Sequence, residues 1–312
     1  MPLPKEELKT EGWNSDRFQI ERKISMIRII CLKKIIPAIV AALLLTVSFA
    51  NADETLALYG MKGYAYVWSP MISQGGYVQA GAVYSLFKGS DGMDGNTWAV
   101  PVSFTYGNGK WWEVSAATHW ERWENTDVSV NDSGVGDVFV GGKLLLIGAE
   151  KNAPLDLSLM PYILIPTGSR DKSVGDLYQF NPSIKDDASY GLNLLLGKRW
   201  ERFYISANLG INYMNSDVSY IKSSSLFAGL ALEYQLAENL TTYVEFFNVG
   251  NKNDFGCGIC YDKNADQDIR QLGLGVVWLK DLWGFKLHGG FGLSDTSPDF
   301  RIIALVNRNL AF

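Results

Sequence analysis

Apolar and polar residues alternate with a period of two along most of this chain. In the last stretch, residues 299–312, one face is mostly apolar and ends on the aromatic Phe312, while the other face carries most of the polar groups. Period two is the repeat of a β-strand. A strand with one face in lipid and the other in a polar lumen has this pattern. Arg308 falls on the apolar face, where its long side chain can reach the membrane interface.

From Tyr77 onward the same alternation predicts twelve strands. Most are about ten residues long, the length that a tilted strand needs to cross a bilayer. The alternation is clearest in segment 202–213, where Phe203, Ile205 and Leu209 share one face. The predicted strands are 77–87, 97–107, 110–121, 135–146, 155–164, 191–200, 202–213, 223–235, 239–248, 268–279, 282–293 and 299–312.

The links between the predicted strands alternate in length. Short links such as Asn108-Gly109 and Lys280-Asp281 alternate with long links such as 165–190 and 249–267. Outer-membrane barrels have short periplasmic turns and longer external loops, and Asn-Gly is a strong hairpin signal. The alternation predicts that both ends of the barrel lie on the periplasmic side.

Aromatic residues gather near the ends of the predicted strands, as they do at the two interfaces of a membrane barrel. A soluble β-sandwich also alternates, but it turns its polar faces to water and needs no aromatic girdle. The residues concerned are Trp98, Tyr106, Trp111, Trp112, Trp120, Trp200, Phe203, Tyr213, Tyr234, Trp278 and Trp283. We therefore predict an all-β fold, a transmembrane antiparallel β-barrel of about twelve strands spanning residues 77–312.

The N-terminal part carries an export signal. Residues 26–52 contain a basic start, an apolar centre and the small-residue site Ala50-Asn51-Ala52, which together predict a cleaved signal peptide. Residues 1–25 precede this complete signal, so Met26 is the expected start of translation. The pattern does not decide the structure of residues 53–76. An extra strand, a piece folded into the lumen and a periplasmic segment are all compatible with it.

Charge and composition exclude some classes of protein. The net charge of −5 argues against a nucleic-acid binder. Only 20% of the residues are charged, below the roughly 25% that is typical of soluble domains. After Ala52 no stretch reaches the roughly 18 uninterrupted apolar residues of a spanning helix. A membrane protein of this composition has to cross the bilayer with strands.

Two cysteines remain after the signal peptide. Cys257 and Cys260 form a C-G-I-C motif in the predicted loop 249–267. In an exported protein such a pair most often forms a disulfide, whereas a metal site needs further ligands and the loop has no His or third Cys. We expect a disulfide that pins the loop, with metal or redox chemistry and free thiols as alternatives.

Catalytic chemistry finds little support in the sequence. Ser115 and His119 share a face, but four residues of one strand separate them by roughly 13 Å at about 3.3 Å per residue, too far for a nucleophile–base pair. Gly-x-Ser-x-Gly is absent. We expect that the protein is not an enzyme and that it binds no cofactor and no metal ion.

The polar faces of the strands predict the lining of the lumen. The charged members either fill and hydrate the interior or form a charged constriction that selects solutes, and the tyrosines are candidates to line a path for aromatic solutes. The candidate lumen-lining residues are Glu113, His119, Lys143, Tyr162, Tyr204, Glu233, Tyr243, Glu245, Lys286, His288 and Arg301.

Several short motifs are shared with a known family. They are S-G-V-G-D at residues 133–137, G-G-K at 141–143, P-T-G-S at 166–169 and L-S-D-T-S-P-D-F at 293–300. This run resembles the outer-membrane family named for the meta-pathway of phenol degradation, whose members are described as transporters. The resemblance covers roughly residues 77–312. It implies a barrel that takes up small, often aromatic or hydrophobic solutes.

The predicted function is a channel in the outer membrane for the passive passage of small organic solutes. The alternative is a closed barrel with a structural or surface-binding role through its external loops. Expected partners are the lipid bilayer, lipopolysaccharide, small organic solutes and, through the terminal Phe312, the barrel-assembly machinery.

Overall fold

The structure is a computed structural model of the chain. It describes residues 55–88, 94–126, 130–148, 154–169, 188–213, 224–250, 268–294 and 297–310. No helix in these ranges is long and apolar enough to cross a membrane. The strands are β1 (Leu56–Ala57), β2 (Gly60–Lys62), β3 (Gln74–Phe87), β4 (Gly95–Asn108), β5 (Trp112–Asn125), β6 (Val130–Val135), β7 (Val138–Ile147), β8 (Asp156–Ile165), β9 (Ser189–Trp200), β10 (Phe203–Tyr213), β11 (Ser224–Ala237), β12 (Leu240–Gly250), β13 (Ile269–Lys280), β14 (Trp283–Gly292) and β15 (Phe300–Asn309).

Strands β3 to β15 form one closed antiparallel sheet. Each strand pairs with its neighbours in chain order, and the last strand returns to the first, with Ala304 opposite Ala82. Strands β6 and β7 both pair with β5 and together fill one position of the wall, so that twelve strand positions close the barrel. Closure matters in lipid because an open edge would leave backbone groups without hydrogen-bond partners. The predicted twelve-stranded barrel is thus confirmed.

The fourth wall position departs from the predicted strand 135–146. It begins earlier, at Val130, and a β-bulge at Gly136 and Asp137 divides it, because the register to β5 shifts by one residue between Trp120↔Val135 and Ala117↔Phe139. A Cβ atom at Gly136 would overlap the ring of His119. The bulge therefore needs a glycine where it faces that ring.

The short connections gather at one end of the barrel, which we call the short-turn end. The β9–β10 and β13–β14 hairpins turn through Glu201 and Asp281, both with positive φ. In the β4–β5 connection, Asn108 Oδ1 accepts hydrogen bonds from three successive backbone N–H groups, those of residues 110–112. The opposite end, from which the longer connections leave, is the long-loop end.

The outer face of the barrel is apolar, with an aromatic band at each end. Leu209, Leu226 and Leu274 are each 58–67% exposed on this face, which in lipid is the favourable side for them. The paired outward rings at the long-loop end are Tyr84–Trp98, Tyr190–Tyr213 and Phe291–Phe300; those at the short-turn end are Tyr106–Trp112, Phe203–Tyr234 and Trp278–Phe285. Two aromatic bands around an apolar belt are the pattern of a membrane-spanning barrel.

Arg308 lies in the short-turn band. Its guanidinium carbon is 5.1 Å from the centre of the Trp283 ring, on the strand directly opposite. An arginine stacked on an interfacial tryptophan keeps its charge at the polar boundary while its stem crosses the apolar belt. The single cation on the apolar face of the last strand is thus accommodated.

Candidate functional site in the barrel lumen

Residues Thr55–Ser73 occupy the lumen, and we call them the plug segment. Strands β1 and β2 form a small hairpin within it, and the first two residues of β2, Gly60 and Met61, have positive φ. A tight loop follows, in which Tyr64 N–H donates to Val67 O at 2.8 Å. Further backbone bonds join Leu58 to Ala65 and Gly63 to Thr55. The plug segment is therefore a folded unit with hydrogen bonds of its own.

One side of the plug segment is held by Glu245 on β12 and Lys286 on β14. The Glu245 carboxylate accepts hydrogen bonds of 3.2–3.3 Å from the backbone N–H groups of Ala65, Tyr66 and Val67. Lys286 Nζ donates to the carbonyls of Leu56, Gly63 and Tyr64. Hydrogen bonds to charged groups are about twice as strong as neutral ones. Irregular backbone buried in the lumen thereby obtains both acceptors and donors.

The opposite side is held by Glu113 on β5 and Lys143 on β7, which lie directly opposite each other in the sheet. Their charged groups form an ion pair with Lys143 Nζ 2.9 Å from Glu113 Oε2, and both side chains are fully buried. Glu113 also accepts from Lys62 N–H and from Ser73 N–H and Oγ. Lys143 donates to the carbonyls of Lys62 and Ser69.

Neutral polar side chains of the wall complete the binding of the plug backbone. Asn208 is bidentate, accepting from Trp68 N–H and donating to Trp68 O, both at 2.8 Å. Four further bonds follow the same principle: Thr105 Oγ1 accepts from Met61 N–H, Ser115 Oγ donates to Tyr59 O, Ser158 Oγ to Pro70 O and Gln79 Nε2 to Ala57 O. Buried backbone polar groups need such partners.

Aromatic rings of the plug segment each pack on a ring of the wall. The centroid distances are 4.6 Å for Tyr59–Phe139, 5.0 Å for Tyr64–Tyr243, 4.4 Å for Tyr66–Phe247 and 5.9 Å for Trp68–Phe227. Pairs at such distances stabilise beyond their buried area by about 0.5–1.5 kcal/mol each. The middle of the lumen is therefore an aromatic core crossed by hydrogen bonds.

A cavity of about 310 Å³ remains between the plug segment and the wall at the short-turn end. The plug contributes Lys62, Tyr64 and Ser69 to its lining, and the wall contributes polar groups of both signs, among them Arg199 and Glu233. Burial and the neighbouring Glu233 raise the pKa of Tyr64 well above its ordinary value, so this phenol is neutral at physiological pH. The cavity is polar, and Tyr64 both lines it and packs on Tyr243 in the aromatic core.

The candidate lumen-lining residues all lie on the inner face, but most of them hold the plug segment. Arg301 donates to Tyr66 Oη and Ser85 Oγ, while Tyr243 and His288 are stacked 5.8 Å apart beside Tyr66. Tyr204 donates to Asp156, and the hydroxyl of Tyr162 bonds to Asn212. Glu233 lines the cavity.

Each of the two histidines lies beside a carboxylate of the wall. His119 Nε2 lies 3.4 Å from Glu121 Oε2, and His288 Nε2 lies 3.6 Å from Glu245 Oε1. Ser115 Oγ, on the same face as His119, donates to the carbonyl of Tyr59 in the plug segment. The described residues hold no cluster of three or more potential metal ligands. Cys257 and Cys260 lie outside the described residues.

Sequence reasoning missed the small polar residues that bind the plug segment. Asn208, Ser158 and Gln79 sit at inward positions of regular strands, where any barrel would place a polar group. For the plug segment itself, the one indication of order in the sequence was the alternation of Tyr64, Tyr66 and Trp68.

Two of the motifs noted in the sequence bind each other at the long-loop end. Asp137 of S-G-V-G-D accepts a 2.8 Å hydrogen bond from Gly168 N–H of P-T-G-S. Thr167 Oγ1 accepts from Val138 N–H at 3.0 Å, and Ser169 exchanges two bonds with the backbone of Val135. P-T-G-S thus provides partners for backbone groups on both sides of the bulge.

A family model matches most of the chain, including the residues of these motifs. The family model described as "Putative MetA-pathway of phenol degradation" matches residues 46–304 of the chain. The chain belongs to this family. It has no significant match among curated proteins.

Among solved structures, one similar barrel shares the fold. The COG4313 outer membrane channel from Pseudomonas putida F1 has 15% sequence identity and a TM-score of 0.59, with 80% of this chain and 99% of that chain covered. The toluene transporter TodX from P. putida has 12% identity and a TM-score of 0.40, covering 83% and 96%. The transport unit of the autotransporter AIDA-I from Escherichia coli has 9% identity and a TM-score of 0.45, covering 77% and 91%.

Proposed function

We propose that this protein is an outer-membrane channel for the passive passage of small organic solutes, in particular aromatic ones. Membership of a family described by phenol degradation supports the choice of solute. The COG4313 protein, which shares the fold, is itself an outer membrane channel. The observation that carries the proposal is in the lumen. Tyr64 lines the cavity and packs on Tyr243 of the wall, so the cavity borders on aromatic rings that an aromatic solute can contact.

The dimensions of the lumen support small solutes. Barrels of about eight strands have interiors just wide enough for side chains, and those of sixteen or more leave an aqueous channel. A twelve-stranded barrel lies between these limits, and the plug segment narrows it further. A cavity of about 150 Å³ is sufficient for benzene, so the 310 Å³ cavity at the short-turn end has room for one small aromatic molecule.

Passage of this kind needs no catalysis, and the proposal includes no enzyme activity and no cofactor. It does include export through the signal peptide at residues 26–52, with cleavage before Asp53. It includes assembly through the C-terminal Phe312 and contact of the apolar belt with lipid and lipopolysaccharide. A disulfide between Cys257 and Cys260 would pin a long loop at the outer surface.

The proposal is tested by flux. We expect purified protein, reconstituted into liposomes that contain lipopolysaccharide, to accelerate the uptake of radiolabelled phenol over protein-free liposomes, with no saturation at low concentrations. Folding is checked first by the shift in electrophoretic mobility between unheated and heated samples. Folded, inserted protein that leaves uptake unchanged would refute passage.

The closed barrel is the second candidate, and the plug segment is the observation that favours it. A lumen filled by residues 55–73 gives a rigid support for external loops without any transport. Planar-bilayer recordings of ionic current distinguish the two candidates. A channel gives discrete current steps, whereas a closed barrel gives no current at any voltage.

A further inference from the structure

The two acid–base pairs that hold the plug segment are not equivalent. Glu113 and Lys143 are ion-paired with each other, so they keep a partner without the plug. Glu245 and Lys286 share no ion pair in the described part of the chain. Besides the 3.6 Å contact between Glu245 and His288, their main partner is the plug backbone. If the plug moves away, water has to replace its backbone groups at Glu245 and Lys286. Glu113 and Lys143 still neutralise each other's charge.

The base of the plug segment is joined to the wall. Ser73 is followed directly by Gln74, the first residue of β3. Ser73 O accepts a 2.9 Å hydrogen bond from Gly109 N–H, and Ser73 N–H and Oγ both donate to Glu113. This end of the plug is therefore attached to β3, to β5 and to the β4–β5 turn.

The loop Gly63–Trp68, by contrast, contacts the wall through exchangeable hydrogen bonds. Its backbone is bound by Asn208 on β10, Glu245 on β12 and Lys286 on β14. Arg301 on β15 donates to its Tyr66 hydroxyl. The cavity at the short-turn end lies on the same side, since β11, β12 and β13 also line it. Displacement of this loop would connect the cavity with the rest of the lumen.

We propose that the loop Gly63–Trp68 is the latch of a gate, held by Glu245, Lys286 and Asn208, and that the plug segment opens by releasing this latch while the Glu113–Lys143 pair keeps its base attached. The inference rests on the proposed function as a channel. When the gate opens, the loop moves away from the inner face of the strands that bind it. The packed rings of Tyr66 and Phe247 separate at the same time, and the Phe247 ring becomes available to a solute.

A disulfide across the latch tests the gate. A Cβ atom at Gly229 on β11 would lie 2.8 Å from Val67 Cγ2, a separation that suits the Cβ and Sγ atoms of a disulfide. The double variant Val67→Cys/Gly229→Cys is oxidised, the bond is verified by mass spectrometry, and phenol flux and ion conductance are measured before and after reduction. The single variants Val67→Cys and Gly229→Cys are the controls, and they also account for Cys257 and Cys260.

We expect oxidation to abolish flux and conductance in the double variant, reduction to restore them, and neither treatment to affect the single variants. Flux that persists with the disulfide formed would refute the gate but not the proposed channel function. The absence of flux in the unmodified protein and in the reduced double variant would overturn the channel and the gate together.

A charge-neutral variant gives an independent readout. Glu245→Gln keeps the shape of the side chain but removes the charge that three N–H groups share, so we expect channel openings to become about tenfold more frequent. Glu201→Gln, in the exposed β9–β10 turn, is the matched control and should leave the frequency unchanged. Equal opening frequencies in Glu245→Gln and the control would refute the latch.

Discussion

Individual charged side chains in this lumen form hydrogen bonds with the backbone of the plug segment. In a barrel of this size, inward Glu and Lys residues are expected to hydrate the interior or to select solutes. Here Glu245 faces three N–H groups and Lys286 faces three carbonyls. The sequence indicated that these side chains point inward, but their partners are more than 170 residues away along the chain, and no local pattern reveals such a pairing.

The contribution of Lys286 can be measured directly. Lys286→Met leaves three buried carbonyls without a donor and Glu245 without a nearby cation, so we expect the free energy of unfolding to fall by about 3 kcal/mol. The measurement is urea unfolding in detergent, followed by tryptophan fluorescence. Lys198→Met, at an exposed position on β9, serves as the control and should change the value by less than about 0.5 kcal/mol. Equal effects of the two substitutions would contradict the role of Lys286.

The strands themselves follow closely from the alternation in the sequence. Predicted and observed boundaries differ by at most a few residues, apart from the fourth strand position. There the bulge at Gly136 interrupts the period, and neither a strand that begins at Val130 nor a break in it was expected. A bulge is decided by pairing with the neighbouring strand, because the extra residue has no opposite partner on β5.

Gly136 provides a test of the bulge. Gly136→Ala forces the ring of His119 to move in a packed lumen, and we expect a loss of about 1–3 kcal/mol in the free energy of unfolding. Gly142→Ala on β7 is the matched control, since the nearest heavy atom to its Cβ would be 4.0 Å away. Urea unfolding of both variants gives the comparison, and a stable Gly136→Ala barrel would show that His119 has space to move.

The apolar belt can be probed at two depths on one strand. Leu230 and Leu236 both face outward on β11, near the middle and near the short-turn end. In a bilayer, Leu230→Arg should destabilise the barrel by about 2–4 kcal/mol, and Leu236→Arg by at most about 1 kcal/mol, because charge is costly only at the midplane. Folding into lipid vesicles from urea measures both. Similar values for the two variants would argue against a membrane around this face.

The barrel as a unit is independent of the plug segment. The ladder runs from β3 to β15 and back to β3 without using residues 55–73. The wall therefore closes by its own backbone hydrogen bonds, and the plug segment adds packing inside it. This separation is what allows the lumen to be open or closed with the same wall.

Deletion of Thr55–Ser73 should leave a barrel that assembles and conducts. Water then hydrates Glu245 and Lys286, and we expect a steady conductance several times that of the complete protein, together with lower stability because the aromatic core is lost. Planar-bilayer recording measures the conductance, and heat-dependent electrophoretic mobility verifies folding. A folded deletion variant without conductance would mean that other parts of the chain close the lumen.

The sequence by itself determined the class of fold, the number of strand positions and the side of each strand that meets lipid, because period two follows from the geometry of a strand. It also indicated that Arg308 is tolerated at the end of the last strand. The tertiary structure alone decided that residues 55–73 fill the lumen and that Glu113, Lys143, Glu245 and Lys286 hold them there. Such contacts depend on the closed ring, which brings together strands that are far apart in the chain.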